Sequence, residues 1–119
     1  MNNLLEKTSL VDERRLSGVA RLYGEVGYEV LKKSHVVVIG LGGVGSWAAE
    51  ALARSAVGEI SLIDYDQVSV SNTNRQLHAM DGEFGKSKVE VMTRRLRLIN
   101  PELKTVSYTH LTLPTKRIV

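Results

Sequence analysis

The 119-residue chain contains no cysteine. That absence excludes disulfides, a thiolate zinc site and a cysteine nucleophile, and it is the usage expected of a cytoplasmic protein. No apolar run approaches the roughly 18–20 residues that a membrane-spanning helix needs. The first residues, Met1-Asn2-Asn3-Leu4-Leu5-Glu6-Lys7, lack the basic-then-apolar order of a secretory leader. A clustered basic face of the nucleic-acid-binding kind is also missing. The formal charge is +3, but Lys116 and Arg117 sit near the end, and without them the balance is nearly neutral. Arg94-Arg95-Leu96-Arg97 reads as the solvated face of a helix. His35, His78 and His110 are the only histidines, and none has ligand spacing to another histidine or an acid, so no metal site is expected. No repeat and no long linker interrupt the chain.

What is present is an alternation of strand and helix patterns. Hydrophobic residues make up 43% and charged residues 24%, values of an ordinary globular domain. A helical stripe runs from Val19 to Leu31, weakened by Gly24 and Gly27. Val36-Val37-Val38-Ile39 is a β-branched run suited to a strand buried on both faces. Ser46 to Arg54 is an alanine-rich helix, and Glu59 to Asp64 a second strand ending in an acid. Tyr65 to Gly85 is polar with few signals. Lys86 to Asn100 is a helix with Val89, Met92, Leu96 and Ile99 on one face, stopped by Pro101. This order predicts an α/β fold, a Rossmann-like parallel sheet truncated after its second or third strand. Three parts are expected: an N-terminal arm over 1–18, a nucleotide-binding part over 19–104, and an atypical tail over 105–119.

Gly40-Leu41-Gly42-Gly43-Val44-Gly45 follows the first strand and opens the alanine-rich helix. In such a loop the first glycine permits the tight turn and the second lets backbone approach a phosphate. The third allows close helix–strand packing, and the helix N-terminus offers free N–H groups to the anion. Asp64 lies 19 residues beyond Gly45, at the end of the next strand, placed to accept hydrogen bonds from ribose hydroxyls. NAD and ATP both present a ribose and a phosphate chain to this scaffold. The segment Asn72-Thr73-Asn74-Arg75-Gln76 and then Lys88 favour ATP, because two cations converging on a triphosphate would stabilise adenylyl transfer.

These motifs resemble the ThiF/MoeB family, bacterial relatives of the ubiquitin-activating enzymes. The resemblance rests on Val37 to Ser46, Leu62 to Val68 and Ser71 to Gln76, and it covers roughly 14–104. Arg21-Leu22-Tyr23-Gly24-Glu25, the Trp47 helix and Asn72 to Ala79 resemble the family's tRNA threonylcarbamoyladenosine dehydratase branch. The resemblance implies ATP with Mg2+, adenylation of a carboxylate, and a tRNA nucleoside as substrate, cyclised by dehydration. Carried onto this chain, it implies that Gly40, Gly42, Gly43 and Gly45 line the phosphates and Asp64 holds the ribose. Asn72, Arg75 and Lys88 would face the phosphates, and Arg21 would reach across a homodimer into the partner's site. Asp66, acidic and close by, shares a polar or structural role.

The departures set further expectations. The family's magnesium-binding aspartate is expected beyond this stretch of chain, and its catalytic cysteine and zinc-binding cysteine pairs are absent. Family members are about twice this length, so the chain reads as an N-terminal fragment, inactive alone. Val106 to Val119 resembles translated adapter sequence more than the family's third strand. Three other readings compete. An activator of a ubiquitin-like sulfur-carrier protein is disfavoured by the Trp47 helix and the Asn72–Ala79 segment. An NAD-binding oxidoreductase lacks any readable hydride-transfer residue. The third is a truncated chain without function.

Overall fold

The computed structural model of the chain describes residues 14–109. Three five-residue strands, β1 (His35–Ile39), β2 (Glu59–Ile63) and β3 (Lys104–Tyr108), form a parallel sheet in the order β1-β2-β3. Helix α1 (Gly18–Lys32) precedes β1, α2 (Gly45–Arg54) joins β1 to β2, and α3 (Lys88–Ile99) leads into β3. Val38 pairs with Leu62 and Leu62 with Ser107, so the three strand ends converge on one edge of the sheet.

The core lies on one face of that sheet. Val38, Ile60 and Leu62 point into it from the strands. Ala49 and Ala53 of α2 are fully buried, their small side chains letting the helix lie close to the sheet. Met92 and Leu96 of α3, with Val89, complete the layer. The spacing of these three is the helical stripe the sequence predicts. Arg95 of α3 donates to Glu50 of α2 at 2.6 Å and ties the two helices at their rim. Helix α3 ends at Ile99 because Asn100, which precedes Pro101, is extended (φ −137°, ψ 98°).

Three details differ from the sequence reading. Burial on both faces belongs to β2, where Ile60, Ser61, Leu62 and Ile63 are all buried, and not to β1. In β1, an edge strand of the described sheet, Val37 and Ile39 are 50% and 73% exposed. Helix α1 is broken at Gly24, whose φ of 78° and ψ of 168° lie outside helical space. Strand β3 begins at Lys104 and continues to Tyr108, across the boundary drawn between 104 and 105. The parts expected over 1–13 and 110–119, His110 included, lie outside the described residues.

Candidate nucleotide-binding site

The glycine loop sits where β1 ends. Gly40 turns the chain with a φ of 89°, a left-handed conformation that favours glycine, and its N–H bonds to the Ile63 carbonyl at 2.8 Å. Gly45 is fixed by contact: a Cβ there would stand 1.8 Å from the Gly40 carbonyl oxygen. The turn and the close packing expected of the first and third glycines are therefore both imposed by the chain. Gly42 and Gly43 are different. A Cβ at Gly42 would meet nothing closer than the Gln76 amide at 3.8 Å, and one at Gly43 only the Arg75 side chain at 3.6 Å. Nothing among the described residues requires these two to be glycine.

The donors of the loop divide along the same line. The Leu41 N–H is held by Asp64 Oδ2 at 2.6 Å, and the Ser46 N–H by the Gly42 carbonyl at 3.2 Å. Between them, the N–H groups of Gly42, Gly43, Val44 and Gly45 have no hydrogen-bond partner among the described residues. Four consecutive unpaired donors at a helix N-terminus form an anion-binding concavity.

Asp64 is half-buried at the end of β2 and uses both carboxylate oxygens on backbone. Oδ2 accepts from Leu41 and Oδ1 accepts from the Asp66 N–H at 2.7 Å. Each oxygen keeps a second lone pair for another donor. The segment after Asp64 then folds back. Val68 N–H bonds to the Lys86 carbonyl, and Lys88 N–H to the Asp66 carbonyl at 3.0 Å, which brings the start of α3 to the end of β2. Lys88 is accordingly buried, with Nζ 4.0 Å from Asp66 Oδ2.

Arg75 lies over Gly43, and its Nη1 donates to the Ser71 carbonyl and to Asn74 Oδ1 within its own turn. The Arg75 carbonyl accepts a bond from the Trp47 indole N–H. Asn72 serves the local backbone instead. Its Oδ1 accepts the Ser69 N–H at 2.9 Å, closing the capping box of the 3₁₀ turn Val70–Asn72. Arg21 projects from α1 exposed, with no bond to the loop. The structure therefore gathers the four glycines, Asp64, Arg75 and Lys88 in one place, with Asn72 bracing its rim, and leaves Arg21 apart. Among the described residues no group of three His, Asp or Glu side chains is placed to hold a metal ion.

Several further residues build the site without having been assigned a role in it from the sequence, although His78 stands just past the Arg75-Gln76 pair. Ser46 is fully buried; its hydroxyl donates to the Gly42 carbonyl and accepts the Leu77 N–H at 3.2 Å. His78 is fully buried, with Nε2 2.7 Å from the Leu41 carbonyl. Burial, and then the positive charge of Lys88, push its pKa below the usual histidine value, against the Leu41 bond and Asp64, which push it up. Gln76 Oε1 and His78 Nδ1 are buried beside the loop without partners among the described residues. Only a polar residue inside an otherwise apolar Leu77–Ala79 stretch could have hinted at this, and such residues are common in loops.

Comparison with known proteins identifies relatives of the chain and of its fold. The ThiF family model matches residues 14–117. The tRNA threonylcarbamoyladenosine dehydratase of Escherichia coli K12 is 55% identical over 91 residues, which are 76% of this chain and 34% of that protein. The dehydratase of Bacillus subtilis 168 is 54% identical over 84 residues, 71% of this chain and 33% of its own length. Crystal structures of the Escherichia coli dehydratase in complex with AMP and with ATP superpose with a TM-score of 0.83 at 49% identity. They cover 87% of this chain, which in turn spans 42–43% of theirs. The chain thus spans about a third of the length of the curated relatives it matches. On a family match over most of its residues and a shared fold, the chain belongs to the ThiF family.

Proposed function

We propose that this chain is the nucleotide-binding part of an ATP-dependent adenylating enzyme acting on the carboxylate of threonylcarbamoyladenosine in tRNA. The carrying observation is the run of four unpaired N–H groups from Gly42 to Gly45, flanked by Arg75 and by Asp64 at the strand end. The donor set fits a nucleoside triphosphate: backbone N–H groups for phosphate oxygens, free carboxylate lone pairs for ribose hydroxyls, and two cations nearby. The names of the relatives supply the substrate.

ATP would supply the adenylyl group and pyrophosphate as leaving group. The chain's own residues bind and orient it. Gly42 and Gly43 leave room for the phosphates to approach backbone, Asp64 holds the ribose, and Arg75 offsets charge gathering on the phosphates in the transition state. Lys88, buried beside Asp66, adds positive potential. Asn72 acts through the turn it caps, keeping Arg75 over Gly43. Helix α1 exposes Leu22, Tyr23, Val26 and Val30, and a second copy against this helix would place Arg21 at the partner's site. A tRNA substrate supports the cytoplasm as the working compartment.

Calorimetric titration with ATP and magnesium, with NAD in parallel, tests this reading. ATP binding without NAD binding is expected, and tighter NAD binding would overturn it. Release of AMP by the whole enzyme on threonylcarbamoyladenosine-containing tRNA, and not on a sulfur-carrier protein, tests the substrate.

A further inference from the structure

Leu41 is held at both of its backbone groups. Its N–H is taken by Asp64, and its carbonyl oxygen lies 2.7 Å from His78 Nε2. A carbonyl can only accept, so Nε2 carries the hydrogen and Nδ1 is the bare nitrogen, which agrees with the lack of any acceptor for an Nδ1–H among the described residues. The imidazole is fully buried. The charged groups acting on it are Lys88 from α3 and Asp64 from the end of β2.

The consequence lies in the next four residues. With the Leu41 carbonyl turned inward onto His78, the peptide plane that continues into Gly42 is fixed. The peptide after Gly42 is held by Ser46, whose hydroxyl and N–H both bond the Gly42 carbonyl, and the one before it, which carries the Gly42 N–H, is held by His78. We propose that His78 is a positioning residue of the nucleotide site: by gripping the Leu41 carbonyl it orients the loop so that the Gly42–Gly45 N–H groups face the phosphate chain. This rests on the reading of the loop as a nucleotide site. His78 does not touch the nucleotide, and its effect is confined to ligands that carry phosphates.

The test compares His78→Gln, whose amide N–H reaches about as far as Nε2, with His78→Asn, whose shorter amide does not. Binding of ATP and of adenosine to the 119-residue chain is followed for each. The expected result is that His78→Asn loses roughly tenfold in ATP affinity, about the worth of one buried hydrogen bond, while its adenosine affinity holds and His78→Gln restores ATP binding. Equal losses for ATP and adenosine, or no loss in either variant, would overturn the proposal while leaving the nucleotide site intact. If the unsubstituted chain binds neither ligand, the nucleotide reading itself fails and takes the proposal with it. Nitrogen-15 spectra of the unsubstituted chain give a check that needs no variant. Protonated Nε2 with bare Nδ1 is expected, and the opposite tautomer would overturn the proposal.

Discussion

The indole N–H of Trp47 donates to the backbone carbonyl of Arg75 at 2.9 Å, across 28 residues of sequence. Helix α2 thereby holds the turn that carries Arg75, whose side chain lies over Gly43. The first turn of α2 sets the positions of both the unpaired loop N–H groups and the cation above them.

Trp47 is the only tryptophan and is half-exposed, so its fluorescence reports on this contact. Binding of ATP is expected to change its emission, and adenosine to change it less. Trp47→Phe should cost about 0.5–1.5 kcal/mol of ATP binding energy through the lost hydrogen bond. Calorimetry of the variant checks the second point.

Gly45 and Gly42 should respond oppositely to alanine. Gly45→Ala forces a methyl group onto the Gly40 carbonyl and should lower stability by about 3 kcal/mol. Gly42→Ala meets no close atom and should leave the melting temperature nearly unchanged while weakening ATP binding. Melting curves paired with ATP titrations separate the two; a Gly42 variant that binds ATP normally would remove this residue from the phosphate site.

Asp64→Ala removes the acceptor for two backbone N–H groups as well as for the ribose. A loss of about 1–3 kcal/mol in nucleotide binding is expected, with a drop in stability alongside. Adenosine should be weakened as well as ATP, because both carry the ribose. Titration with each ligand is the check.

Arg75→Ala in the whole enzyme should slow AMP formation far more than it weakens ATP binding, as expected of a group that acts mainly in the transition state. Single-turnover rates set against equilibrium binding measure the split. Equal losses in both would contradict that role.

Acidification should destabilise the chain through His78. Its folded-state pKa is lowered by burial and by Lys88, so the folded form disfavours the charged imidazole. Its stabilising contribution is fully present above the ordinary histidine value near 6.5 and is lost as pH falls from there toward the lowered folded value. His78→Gln should flatten this part of the stability–pH curve, measured by denaturant unfolding across the acidic range.

The sequence by itself determined the strand–loop–helix unit, the glycine spacing, the acid at the end of β2 and the cations that follow. Each of these is local: β-branched runs, helical stripes and glycine turns express preferences that act within a few residues of one another. Sequence patterns fail where burial depends on what lies alongside. Four consecutive apolar residues could not reveal that β1 is an edge strand and β2 the central one, because position in a sheet is set by pairing. Only the tertiary structure decided that Ser46 and His78 secure the loop, that Lys88 is buried beside Asp66 and that Asn72 caps a turn. Most of these contacts join residues dozens of positions apart, and a buried hydrogen bond between them leaves no periodicity in the chain.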